Sequence, residues 1–206
     1  FSLLNDKLAI SPGISYANYS TEGNFFYPGL DAGYTFNEHH KIYGNIAKVH
    51  RVPTFTDLYY KSPVEQGNPD LKPESAISTE IGYQYKTNNL VAKTSFFTRD
   101  SNNLIDWAKD SPTSIWTARN IGKVSLKGLE VEIKQNFSGF FKSYSVGYTY
   151  LDNQRKDGNN LFSRYDLDNL KHQFVATLEN KFLKNFTNVL TYRYNERVNL
   201  GSYNLL

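Results

Sequence analysis

The sequence predicts an all-β fold: an antiparallel, up-and-down transmembrane wall of about nine strands, part of a larger β-barrel. Three observations carry this expectation. Most of the chain alternates apolar and polar residues with period two. The runs are longer than soluble sheets use. The connections sort into short turns and long loops.

The alternation is read strand by strand. The first run, around Leu8 to Tyr19, places Leu8, Ile10, Ile14 and Tyr16 on one face. In the second, Phe26, Pro28, Leu30, Ala32, Tyr34 and Phe36 oppose Gly29, Asp31, Gly33 and Thr35. The third, Lys41 to Val52, alternates poorly and is assigned from its position between two others. In the fourth, Ile77, Thr79, Ile81, Tyr83 and Tyr85 oppose Glu80, Gly82 and Gln84. The fifth, Leu90 to about Ile105, groups Leu90, Ala92, Thr94 and Phe96. The sixth is the cleanest, with Leu129, Val131 and Ile133 against Glu130, Glu132 and Lys134. The seventh sets Tyr144, Val146, Tyr148 and Tyr150 against Ser143, Ser145, Gly147 and Thr149. The last two carry Phe174, Ala176, Leu178 and Phe182, then Phe186, Leu190, Tyr192 and Tyr194. No segment sustains a 3.6-residue period, so almost no helix is expected.

Run length and connections favour a membrane wall over a soluble sandwich. Several runs reach about 11–14 residues, against a mode of about 5–6 for soluble strands. Short links occur at Asn37–His40, Thr87–Asn89, Ser138–Gly139 and about Leu183–Lys184. Long links run from Pro53 to Pro73, from Asp106 to about Leu126 and from Asp152 to Leu170. Short turns on one rim and long loops on the other are the layout of outer-membrane barrels. A passive porin, or a Tyr-rich soluble β-sandwich that binds ligands, remains the alternative at this point.

Composition agrees with the wall and excludes other classes. Only 39% of the 206 residues are hydrophobic and no run nears the roughly 20 apolar residues of a spanning helix, whereas a spanning strand needs about 9–11 with alternate ones apolar. Aromatics reach 16%, with 16 Tyr and 14 Phe, which suits interfacial girdles. Cysteine is absent, which removes disulfides, thiolate metal sites and Cys nucleophiles. The net charge of +3 is spread without a basic block, so nucleic acid is not an expected partner. No charged n-region and apolar h-region follow Phe1. An outer-membrane protein is made with such a leader, so an internal segment of a longer precursor is expected.

The sharpest motif crosses the first long link. It reads Arg51-Val52-Pro53-Thr54-Phe55, then Gly67-Asn68-Pro69-Asp70-Leu71-Lys72-Pro73-Glu74, then Glu80-Ile81-Gly82. A second element reads Asn120-Ile121-Gly122, then Lys127-Gly128-Leu129-Glu130. Together these resemble the signature of TonB-dependent receptor barrels, well from Arg51 to Glu132 and by spacing elsewhere. The resemblance implies a barrel of about 22 strands with a plugged lumen. It makes residues 1–206 a partial barrel domain, with a plug domain and C-terminal strands outside the sequence. It implies import of a scarce nutrient (a siderophore, haem, cobalamin or similar) across a bacterial outer membrane. A small-molecule ligand at the loops, outer-membrane lipid, and a TonB-like energy-coupling protein acting through parts outside this sequence are the implied partners. No enzymatic chemistry and no cofactor are expected.

Residue roles follow from the chemistry. Pro69 and Pro73 fix φ and withhold two backbone donors until the strand begins, and Gly67-Asn68 supplies turn chemistry, so the motif reads mainly as structural. Glu80, Glu130 and Glu132 fall on the polar face, where pairing within the wall, with Arg51 for example, is the ordinary reading. Tyr59, Tyr60, Trp116, Arg164 and Tyr165 are the ligand-binding candidates, and Trp107 reads as an interfacial anchor. His39-His40 sits in a turn as a solvated pair. Asp152 to Asn160 spaces oxygen ligands temptingly for calcium but lacks the Glu of an EF-hand loop, so no metal site is assigned.

Overall fold

The computed structural model describes residues 1–156, 161–164, 170–183, 186–198 and 201–205, with the backbone alone for residues 2 and 201–205. In chain order the elements are β1 (Ser2–Leu3), β2 (Leu8–Tyr19), β3 (Gly23–Thr35), β4 (His40–Arg51), α1 (Phe55–Tyr59), β5 (Glu65–Gln66), β6 (Glu74–Lys86), β7 (Leu90–Asn102), β8 (Ile105–Lys109) and β9 (Trp116–Asn120). They continue with β10 (Lys123–Asn136), β11 (Phe141–Arg155), β12 (Phe162–Ser163), β13 (Leu170–Leu183), β14 (Phe186–Arg197) and β15 (Gly201–Leu205). Among these, 11 strands make one sheet in the order β1-β2-β3-β4-β6-β7-β10-β11-β13-β14-β15. Every neighbouring pair is antiparallel and sequential among wall strands, so the sheet is an open up-and-down wall.

All nine expected strands form, flanked by the short β1 and β15. The poorly alternating third strand is β4, paired with β6 from His40↔Tyr85 to Arg51↔Glu74. Three boundaries shift. The fifth strand ends at Asn102 and the sixth begins at Lys123, and the seventh runs on to Arg155. Gly122 marks the second entry at φ 79°, a left-handed backbone that favours glycine.

The sequence gives the wall two unlike faces. On one, the register aligns Ile81 with Phe96, Phe96 with Leu129 and Leu129 with Tyr150. This apolar face is open, with Ile81 60% exposed. On the other, Asp31 aligns with Asn45, Asn45 with Glu80, and Ser95 with Glu130. Two aromatic rings of this polar face lie across glycines. Tyr43 Cζ is 2.3 Å from where a Gly82 Cβ would stand, and Phe97 Cζ is 2.1 Å from the same point at Gly128. The motif glycines are therefore seats for large side chains from neighbouring strands. A single open sheet with an exposed apolar face is not a sandwich, whose apolar faces would meet in a dry core.

The three long links leave one rim and the short turns leave the other, as the loop lengths predict. The sorting is not strict, because the short link between β2 and β3 also lies on the long-loop rim. At the opposite rim the Asn37 side chain accepts hydrogen bonds from the backbone of His39 at 2.9 Å and His40 at 3.1 Å, which closes the turn. Aromatic side chains collect at that rim, including Phe137 beside Tyr144 and Phe140 beside Phe182.

Candidate functional site

The long loops are not separate excursions. Their short strands form a second sheet of 4 strands in the order β12-β8-β9-β5, which takes strands from all three links. We call this unit the crown. β8 and β9 form a hairpin, β5 joins β9 in parallel through Glu65↔Trp116, and β12 joins β8 through Ser163↔Ala108. The crown holds most of the buried apolar residues of the described chain. Leu71, Ile105 and Ala118 form one cluster, and Ala108, Ile121 and Val124 another. Ala76, Ser101 and Val124, on the polar face at the end of the wall, are buried too. Because they share the face of Glu80 and Glu130, the crown folds across the polar side of the wall.

A charged clasp seats the crown. Arg51 Nε donates to Glu74 Oε1 at 2.8 Å, Arg51 Nη1 donates to Asp57 Oδ2 at 3.1 Å, and Arg51 Nη2 donates to the Ile105 carbonyl at 3.3 Å. Glu74 also accepts the Ile105 amide at 3.0 Å. The carboxylates are buried, Glu74 at 6% and Asp57 at 8% exposure, while the Arg51 side chain stays 41% exposed. Arg51 and Glu74 thus tie both ends of the first loop to the start of the second.

Asp57 serves twice. It caps α1 with Thr54, whose hydroxyl accepts from the Asp57 amide while the Asp57 carboxylate accepts from the Thr54 amide. Burial alone would push the Asp57 carboxyl up. The Thr54 amide and hydroxyl and the Arg51 guanidinium outweigh it, so Asp57 ionises below the ordinary aspartate range. The Thr54-x-x-Asp57 spacing was a legible cap signal, yet nothing in the sequence tied it to Arg51.

The other motif residues complete the seat. Gly67 packs under α1, where a Cβ would stand 2.8 Å from the Leu58 carbonyl carbon. The Asn68 amide donates to the Asp57 carbonyl at 2.8 Å, and the Asn68 side chain accepts the Asp70 amide at 2.9 Å. Leu71 is core. Asn120 bridges the first two loops: it accepts the Lys72 amide at 2.9 Å and donates to the carbonyls of Lys72 and Asn103. Sequence reasoning noticed Asn120 but not its partners, which lie 48 positions away for Lys72.

The ligand candidates divide. Tyr60 stands edge-on to Trp107 at 6.2 Å, and Arg164 lies 4.9 Å from the Trp116 ring centre and 5.8 Å from that of Trp107. Arg164 also pairs with Glu65, and Ser163 donates to Asp106, so the third loop is fastened to the other two. Tyr59 is separate and exposed, against Phe55 at 4.8 Å. Tyr165 and residues 157–160 of the calcium-like stretch lie outside the described residues. Trp107 departs from expectation. It packs on the Leu71–Ile105–Ala118 cluster rather than at the wall's aromatic rim. Of the carboxylates further down the polar face, Glu80 accepts from Asn45 at 3.3 Å and Glu132 lies 3.7 Å from Lys93, rather than meeting Arg51.

Comparison with known proteins gives concordant results. The family model described as TonB dependent receptor-like, beta-barrel matches residues 1–205. The vitamin B12 transporter BtuB of Vibrio vulnificus (strain CMCP6) is 30% identical over 191 residues, covering 91% of this chain and 28% of that protein. The ferrienterobactin receptor of Escherichia coli (strain K12) is 26% identical over 148 residues, covering 62% of this chain and 20% of that protein. The crystal structure of the siderophore receptor PirA from Pseudomonas aeruginosa superposes with a TM-score of 0.74 at 22% identity, covering 98% of this chain and 36% of that one. The chain spans well under half the length of these relatives.

Proposed function

The chain belongs to the TonB-dependent receptor β-barrel family, and from that premise we propose that it is the wall and loop crown of an outer-membrane receptor that binds a scarce nutrient for TonB-coupled import. The observation that carries this reading is the crown. Three long loops of one rim interlock into a folded unit across the polar face, and they bring Tyr60, Trp107, Trp116 and Arg164 together at the mouth of the lumen. In the full receptor the polar face lines that lumen, the apolar face meets lipid, and a plug domain fills the barrel.

The ligand surface is built from Tyr60, Trp116 and Arg164, the candidates that the crown brings together. Aromatic rings and a guanidinium suit a ligand with a flat π-face and anionic groups. Cobalamin and ferric siderophores are the classes to test first, given the names of the relatives. The chain contributes binding and passage rather than covalent chemistry.

Gene deletion in the native host decides the reading. Uptake of labelled cyanocobalamin and of ferric enterobactin is measured in the parent, the deletion strain and a complemented strain, with and without a protonophore. Loss of one uptake in the deletion strain, restored by complementation and abolished by the protonophore, is the expected result. Energy-independent permeation restored by the full gene would instead identify a passive pore. Recovery of the protein outside the outer-membrane fraction would retire the membrane assignment.

A further inference from the structure

The apolar face of the wall is not uniform. In the row Ile10–Ala32–Gly44–Ile81, two neighbouring strands set their smallest residues side by side. The side chains around them are large, so Ala32 and Gly44 floor a groove of about 440 Å³ between Leu30, Ile42, Ile46 and Ile81. A second hollow of about 300 Å³ shares Leu30 and Ile46 with the first and continues to Pro28, Lys48 and Ile77. The groove therefore runs along β3 and β4 toward the long-loop rim and ends at a lysine. From Gly44 to Lys48 is about 13 Å of extended strand.

Lys48 is out of place on this face unless something anionic meets it. A lysine turned toward lipid is tolerated near the headgroups and costly deeper down, and its long apolar stem lets the ammonium reach headgroup depth. Among the described residues no acid pairs with Lys48. The carboxylate of its own row, Asp100, stands two strands away and lies 3.8 Å from Lys156. A third hollow on the same face, beside Thr94, Phe96 and Leu129, has no cation at its edge. An apolar channel with one unpaired cation at its outer end has the form and charge to hold a single anionic lipid.

We propose that this groove is a discrete lipid site, which seats an acyl chain of the phosphorylated glycolipid of the outer leaflet and holds its phosphate at Lys48. The leaflet rests on the receptor reading, which puts the long-loop rim outside. The headgroup is chosen by charge, because an ammonium in the headgroup layer attracts phosphate and gains nothing from a neutral sugar. Lipid that merely surrounds the barrel would depend on neither the small floor at Ala32 nor the charge at Lys48.

The test uses the full-length protein, purified from outer membranes in mild detergent. Native mass spectrometry counts the lipid it retains after titration with lipid A, with dephosphorylated lipid A and with phosphatidylglycerol. The wild type should retain lipid A at least fivefold better than the dephosphorylated form. Lys48→Gln should bring the two to the same low level, and Lys48→Arg should restore the difference. Ala32→Phe, which fills the groove, should cut lipid A retention at least fivefold, while Thr94→Phe, which fills the neighbouring hollow, should leave it unchanged. Heat-modifiable mobility on electrophoresis checks assembly, and Ala32→Val gives the same reading with a smaller loss if the Phe variant fails to assemble. Lipid A retention that is unchanged in Lys48→Gln, or in an assembled Ala32 variant, overturns the proposal. So does a preference for phosphatidylglycerol over lipid A, which would give the groove a different occupant. A wild-type protein that imports neither cyanocobalamin nor ferric enterobactin refutes the receptor reading instead, and lipid retention still reports on the groove.

Discussion

In the wall, apolar side chains point away from the rest of the protein, as Ile81 does at 60% exposure, and strand pairing does the organising. In the crown the same residue types turn inward: Ile121 is 2% exposed and Ala118 fully buried. The wall is solvated by lipid on one side and needs no core of its own. The crown stands in water and must make one, from loop segments too short to do so alone. It therefore borrows from its neighbours, with strands from three loops, a clasp on Arg51 and Glu74, and packing against the last residues of the wall. Its stability is shared between segments far apart in sequence, whereas each wall strand depends on the next.

The comparison breaks most sharply on the lipid face. Val131 shares that face with Leu129 and Ile133, and Glu130 points into the lumen. Val131→Arg should impair assembly by about 2–4 kcal/mol near the bilayer midplane, and Glu130→Arg by much less. Denaturant titration of the refolded full-length barrel in lipid vesicles measures both. Equal costs at the two positions would mean that the faces are misassigned.

The clasp comes next. Glu74→Ala removes a buried carboxylate and leaves the Ile105 amide without its acceptor, while Arg51 can turn toward water. The expected cost is about 2–3 kcal/mol, below that of a fully buried pair because Arg51 is partly exposed. It should fall on the crown. Proteolysis within the first and second loops should accelerate, with the barrel's heat-modifiable mobility retained. Loss of the barrel together with the crown would show that the two are not separable.

That separation also explains what was legible in the sequence. The wall's strands follow from alternation, because a one-residue slip would put Glu130 and Glu132 into lipid. β4 read poorly because Gly44 and Lys48 fall on its apolar face and Tyr43, Ala47 and Val49 on its polar one, and its place between β3 and β6 rescued it. The crown was hidden for a physical reason. Its strands are 2 to 5 residues long, too short to display a period, and their partners come from other loops. The Arg51 and Glu74 motif residues were seen, but their shared partner Ile105 joins through its backbone and leaves no sequence trace. Trp107 was misplaced for the same cause: a Trp that packs in a loop core looks like a Trp at an interface until the loop's partners are known.

A third effect lies within the wall's polar face. Gly128→Val puts a branched side chain where the Phe97 ring lies, so the ring must leave its seat. Overpacking of this kind costs about 1–3 kcal/mol. A second substitution, Phe97→Ala, should recover part of the loss by vacating the space. Additive costs in the double variant would show that the ring and the glycine are not coupled.

The smallest effect separates crown from wall by pH. Asp57 ionises more readily in the folded crown than in an unfolded chain, because Thr54 and Arg51 favour its charged form. A group whose pKa is depressed by folding stabilises the fold above its unfolded value, about 4 for aspartate, and that contribution disappears as pH falls from there through the folded value. The crown should therefore be insensitive to pH from neutrality down to about 5 and loosen below about 4. The wall strands, paired by backbone hydrogen bonds and held in lipid, should not follow at the same pH. Hydrogen exchange of the α1 amides against those of β10 and β11, across an acid titration in detergent, reads the two regions separately. Asp57→Asn should remove the low-pH step in α1 and lower its protection at neutral pH. Its carboxamide still accepts one hydrogen bond but has lost the charge that Arg51 met. If α1 and the wall lose protection together in the wild type, or if Asp57→Asn leaves the acid step in place, the step belongs to another group and Asp57 is not the crown's acid-sensitive contact.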